Sequence, residues 1–126
     1  SAIVYAIMSL EVENIVICGH SDCNGCAAIY DDKKLQNMPS VARWLEQLNE
    51  VKNEILNSNS SVDEHGWLTE RLCVLQSMEN IRTYPQVNER EKNGLLRIYG
   101  WHYIIQTGEV YSYENEEFIL LNKGRK

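Results

Sequence analysis

Apolar residues along this chain change their spacing several times, and each change marks an element. Ile3, Ile7 and Leu10 fall on one helical face, so residues 3–10 predict a helix, followed by a turn over 11–14. Ile15-Val16-Ile17-Cys18 is an unbroken apolar run, the pattern of a short strand buried on both faces of a parallel sheet. Residues 19–25 predict a loop, 26–30 a short helix and 31–38 a polar connection. Pro39 and Ser40 open a helix carrying Val41, Leu45, Leu48, Val51 or Lys52, and Ile55 at helical spacing. The Asn/Ser run 57–61 ends it. A long helix follows, with Trp67, Leu68, Arg71, Leu72, Leu75, Met78 and Ile81 as its expected inner stripe, and Tyr84-Pro85 stops it. Residues 87–93 predict a short helix capped by Gly94 in the left-handed region. Residues 95–106 read as a strand rich in Ile, Tyr and Trp; Thr107-Gly108 turns it and residues 109–113 return antiparallel.

The resulting fold class is α/β: a short, mostly parallel sheet with crossover helices and a C-terminal antiparallel hairpin. Three strands for so many helices make a thin sheet. The length, 126 residues, predicts one domain spanning 1–126. A formal net charge of -6 argues against a nucleic-acid surface. No apolar run approaches the roughly 18–20 residues of a membrane span. Residues 1–10 lack the basic start and cleavage site of a signal peptide and read as a helix entered in mid-fold.

Candidate chemistry concentrates after the first strand, in Cys18-Gly19-His20-Ser21-Asp22-Cys23. Zinc takes thiolate sulfur and neutral imidazole nitrogen, commonly four donors in a tetrahedron. Cys18, His20, Cys23 and Cys26 place four such donors in nine residues. Three arrangements use them: a catalytic half-site of His20 and Cys23 completed from elsewhere, a closed structural site of all four, or a redox pair Cys23–Cys26. Inert buried thiols are the fourth possibility. A strand end sends alternate residues to one side, so Cys18 and His20 share a face. With three of four cysteines clustered and Cys73 alone, the pattern suits a reduced, cytoplasmic protein better than a disulfide scaffold. His65 reads as solvated, His102 as a packed strand histidine, Cys73 as a small core residue, and Asp31-Asp32 and Glu116-Glu117 as solvated pairs. Cys26 reads as core packing or a replacement ligand.

At these residues the chain resembles the β-class carbonic anhydrases. Ala2-Ile3-Val4-Tyr5-Ala6 precedes Ile15-Val16-Ile17-Cys18-Gly19-His20-Ser21-Asp22-Cys23, as a Ser-[Ile/Leu]-Glu-Tyr-Ala helix precedes a Cys-Gly-His-Ser-x-Cys-Gly strand end in that family. Asn80-Ile81-Arg82-Thr83-Tyr84-Pro85-Gln86-Val87 is similar to its Asn-Leu-x-Thr-Tyr-Pro-x-Val segment. Gly100-Trp101-His102-Tyr103 with Thr107-Gly108 is similar to its final hairpin, and Trp67-Leu68-Thr69-Glu70-Arg71-Leu72 resembles some bacterial members. The resemblance covers nearly the whole chain, in order.

The resemblance implies zinc-dependent, reversible hydration of CO2 to bicarbonate. It implies His20 and Cys23 as two zinc ligands and Tyr5 as a wall of the substrate pocket. The residue after the ligand Cys is normally Gly; here it is Asn24, which tolerates the left-handed region better than other residues and would sit beside the metal. Val4 stands where the family has Glu. The family's first motif, Cys-x-Asp-x-Arg, which supplies another zinc Cys and an Asp–Arg pair, has no counterpart in these residues. The expectation is therefore the C-terminal part of a β-carbonic anhydrase-like domain, impaired or inactive alone, with no residue of this chain assigned the catalytic role. The exposed edge and apolar sheet face then predict a homodimer or higher oligomer. The alternative is a non-catalytic zinc-binding or oligomerisation module derived from the same fold.

Overall fold

The computed structural model describes residues 2–122. Helix α1 spans Ala2–Met8 and strand β1 Asn14–His20. The crossover that follows carries α2 (Asn24–Ala28), α3 (Asp32–Gln36), α4 (Pro39–Leu45), α5 (Asn49–Leu56), α6 (His65–Arg82) and α7 (Pro85–Lys92). Strands β2 (Arg97–Tyr103), β3 (Val110–Glu114) and β4 (Glu117–Leu120) follow. The sheet order is β1-β2-β3-β4, with β1 parallel to β2 and the rest antiparallel.

The α/β class, the parallel β1–β2 pair and the C-terminal hairpin agree with the sequence reading. Several details differ. The sheet is not mostly parallel: among the described residues one pairing is parallel and two are antiparallel. The sheet has a fourth strand, β4, because Asn115 and Glu116 both take positive φ (51° and 67°) and close a two-residue turn between Glu114 and Glu117. Two positive φ values suit a type I′ hairpin, but the turn lacks the Gly that normally announces one. Residues 31–38 are no mere connection: Asp31 caps α3 by accepting from the Lys34 N–H at 3.0 Å. The helix expected over 39–55 is broken by a 3-10 turn at Glu46–Leu48. Residues 19–25 are not all loop, since β1 runs through His20 and α2 starts at Asn24.

Strand β1 is buried on one face only. Ile15, Ile17 and Gly19 face the helices, while Val16, Cys18 and His20 are exposed. The main apolar cluster joins Ile7 of α1, Ile81 of α6, Val87 of α7 and Leu96, with Ile15, Ile17 and Ile98 of the sheet packed against it. Leu10 lies beyond the end of α1 and is exposed, contrary to the reading of its face. Met78 and Ile81 of α6 are buried as expected, but the first half of the helix is rotated from the expected stripe: Thr69, Glu70 and Val74 are buried, and Trp67 is exposed. Gly94 ends α7 in the left-handed region, φ 72°, as expected.

Two glycines set how close α6 lies to the sheet. A Cβ at Gly19 would sit 2.7 Å from Val74 Cγ2, and one at Gly100 would sit 2.9 Å from Val74 Cγ1 and 2.5 Å from Met78 Sδ. Gly19 and Gly100 are on adjacent strands and one inner face, so Val74 sits in the hollow both leave. Val74 is β-branched and stiff and cannot turn aside. Gly100→Ala is expected to cost about 1–3 kcal/mol by overpacking, read as a lower urea midpoint; an unchanged midpoint would show that α6 shifts freely.

Candidate metal centre

His20 and Cys23 flank a tight turn, and its geometry is heavily determined. The Ser21 N–H donates to the Tyr103 carbonyl at 2.8 Å, extending the β1–β2 pairing. The Ser21 hydroxyl accepts from the Ile105 N–H at 2.8 Å and donates to Gln106 Oε1 at 3.0 Å. The Gln106 amide donates in turn to the Asp22 carboxylate. Asp22 takes the left-handed conformation, φ 54°, which Asp accepts more readily than most residues. Cys23 then caps α2 in an extended conformation.

The donor atoms suit a metal. His20 Nδ1 lies 2.9 Å from the Ser21 carbonyl oxygen. A carbonyl only accepts, so Nδ1 carries the proton and Nε2 keeps its lone pair, the arrangement of a histidine ligand held by its second nitrogen. Cys23 is half-buried, and burial pushes its thiol up, partly offset by backbone N–H groups at Cys26 and Gly25. Among the described residues, no group of three or more His, Cys, Asp and Glu is placed to hold a metal. His20 and Cys23 are thus a pair of the donor types zinc takes, short of the four it commonly has.

Behind the turn lies a buried polar chain from α6. Glu70 Oε2 accepts from the Cys23 N–H at 3.1 Å, and Glu70 Oε1 pairs with His102 Nε2 at 2.8 Å. Arg71 Nε donates to His102 Nδ1 at 3.2 Å, so His102 is neutral with its proton on Nε2, given to Glu70. The Arg71 guanidinium stacks over Trp67, Tyr111 and Phe118, 4.8–5.0 Å from each ring centre. Glu70 and His102 are both buried, and each is satisfied.

The sequence profile described as carbonic anhydrase matches residues 1–110. The chain belongs to the carbonic anhydrase family. It is 38% identical over 122 residues to a carbonic anhydrase of Helicobacter pylori, covering 92% of this chain and 55% of that protein. It is 37% identical over 114 residues to one from Synechococcus elongatus, covering 87% of this chain and 42% of that one. The solved structure of the β-carbonic anhydrase CcaA superposes with a TM-score of 0.88 at 28% identity, covering 97% of this chain and 57% of that one. The chain thus spans about half the length of the curated relatives it matches, and its fold is that of the β class.

Within this carbonic anhydrase fold the predicted residues fare differently. His20 and Cys23 lie on the same turn. Cys18 shares the exposed face of β1 with His20, as alternation requires. Cys26 is buried, and its thiol donates to Cys73 at 3.7 Å, so the four-donor closed site is not assembled. Cys73 itself is half-buried rather than a core residue. Asn24 is not left-handed: it is the first residue of α2, and the strained position is Asp22. The turn needs only one such residue, and the helix begins immediately after Cys23. Tyr5 is 61% exposed on α1. His65 is not simply solvated; it stacks on Tyr30 with ring centres 5.6 Å apart. His102 is packed, as read. Glu70 and Arg71 carry the buried chain and went unrecognised as polar anchors; the signal was a charged pair interrupting the inner face of a long helix.

Burial holds the His102 imidazole below its ordinary range, against the raising effect of Glu70, while Arg71 and, more weakly, His20 add to the lowering. The unfolded chain therefore takes up this proton at higher pH than the folded chain. The stability tied to a neutral His102 is complete above the unperturbed value and is lost as pH falls below about 6.5. Urea midpoints are expected to fall from pH 7 toward about pH 5.5, and less steeply in His102→Gln, which keeps a donor for Glu70. Equal slopes would place the pH dependence elsewhere.

Proposed function

We propose that this chain carries half of a β-carbonic anhydrase zinc site and serves the reversible hydration of CO2 to bicarbonate. The observation that carries the reading is His20, its Nε2 freed by the Ser21 carbonyl and set on one turn with Cys23, in a chain of this family. Zinc, when bound, supplies the Lewis acid that makes water a nucleophile at neutral pH. His20 Nε2 and the Cys23 sulfur are the two donors this chain offers. Glu70 fixes the Cys23 backbone, and Ser21 with Gln106 fixes the turn, so the two donors are held before any metal arrives.

The remaining donor and the Asp–Arg pair of the family's Cys-x-Asp-x-Arg motif belong, in this reading, to a segment outside these residues. The free edge of β1 supports this. Among the described residues β1 has a single neighbour in the sheet, so a further strand can pair there beside His20. Tyr5 and Asn24, both exposed, are the proposed pocket residues. Val16, Tyr103 and Ile119 expose apolar surface on the sheet face opposite the helices, which supports a homodimer or higher oligomer. The four free cysteines support a reducing, cytoplasmic setting. A non-catalytic zinc-binding module is the second reading, favoured by the two-donor set.

Zinc titration and stopped-flow CO2 hydration separate these readings. The chain alone is expected to bind zinc weakly, to lose it with His20→Ala or Cys23→Ala, and to keep it with Cys26→Ala. Turnover is expected only when a segment bearing Cys-x-Asp-x-Arg is supplied. Zinc loss with Cys26→Ala would restore the closed site, and zinc-dependent turnover by the chain alone would overturn the half-site.

A further inference from the structure

The four cysteines do not pair as their spacing suggests. Cys23 and Cys26 form a C-x-x-C whose side chains lie near each other, yet the Cys26 thiol donates to Cys73 on α6, 47 residues away, with the sulfurs 3.7 Å apart. Cys18 lies exposed on the opposite face of the sheet from α6. A cavity of about 330 Å³ reaches the pair, walled by Cys23, Cys26 and Cys73 with Trp44, Leu45 and Leu48. Its wall is mostly apolar, and Trp44 at its rim is exposed. Among the described residues, neither the zinc-ligand reading nor the buried polar chain uses Cys26 or Cys73.

We propose that Cys26 and Cys73 are a dithiol modification site, oxidised to a disulfide that clamps α2 to α6 by exchange with a small disulfide such as oxidised glutathione. The sulfurs must close from van der Waals contact to a bond of about 2.05 Å. Cys73 is the entry thiol: it is the less buried of the two, and the hydrogen bond from Cys26 favours its thiolate. The Cys73 thiolate attacks one sulfur of the small disulfide, forming a mixed disulfide and expelling one thiolate, which takes up the Cys26 proton. The Cys26 sulfur then attacks the Cys73 sulfur and expels the second small thiolate, protonated by solvent. Two protein thiols are oxidised to one disulfide, and one small disulfide is reduced to two thiols. The new bond closes a long loop, which raises stability by restricting the unfolded chain.

The inference is independent of the zinc reading, and the experiment keeps the two apart. The full chain is incubated with oxidised glutathione, with and without zinc, digested, and the disulfide located by fragmentation mass spectrometry. The expected product links Cys26 to Cys73, loses the mass of two hydrogens, and melts at a higher temperature than the reduced chain. His20→Ala is expected to give the same bond, and Cys26→Ser to stop at glutathione on Cys73. A bond between Cys23 and Cys26, a stable mixed disulfide on Cys73 in the unsubstituted chain, or modification of Cys18 alone would overturn the proposal. An unchanged melting temperature in a correctly linked product would overturn the clamp.

Discussion

The seating of Val74 between Gly19 and Gly100 is the contact on which the rest depends. It brings the α6 backbone close to the parallel β1–β2 pair. With α6 so close, Glu70, one helical turn before Val74, reaches both His102 on β2 and the Cys23 N–H just past β1. The same helix carries Cys73, which meets Cys26 of α2. A bulkier residue at either glycine would lift the helix and loosen all three contacts together. A packing constraint in the core thus becomes a positional constraint on the candidate ligands.

The polar chain through Glu70, His102 and Arg71 is the costliest part of the structure to leave incomplete. Buried charged and polar groups are tolerated only when each donor and acceptor is met. Here the carboxylate accepts from a backbone N–H and an imidazole, and the imidazole accepts from Arg71. The guanidinium is held among three aromatic rings, one from α6 and two from the terminal hairpin. Strand β4 matters for this reason: its Phe118 covers Arg71 and meets His102 edge-on. The far end of the chain therefore helps hold the turn at its beginning.

Much of the fold was legible in local pattern. The apolar run before Cys18, the Tyr84-Pro85 break and the left-handed Gly94 each have one strong physical reading. Elements without such a signal were misjudged. The turn at Asn115-Glu116 lacks glycine, and α3 is a short polar helix recognisable only by its Asp31 cap. The leucine spacing of α6 points to a face offset from the one its first half buries. Met78 and Ile81 do face inward as their spacing implies, but the sheet also selects Thr69 and Glu70, which hydrogen-bond, and Val74, which fits against two glycines.

The sequence by itself determined the candidate donors His20 and Cys23, the class of fold and the family, because these reside in residue identity and short spacing. It could not order the remaining thiols. By spacing, Cys26 belongs with Cys23; in three dimensions its thiol also meets Cys73, to which it donates, since helix packing joins residues that the chain keeps 47 positions apart. The tertiary structure alone decided that pairing, the Glu70 anchor behind Cys23 and the single buried face of β1. Each depends on how closely a helix lies against a sheet, a distance fixed by side-chain volume across elements and invisible to periodicity along one.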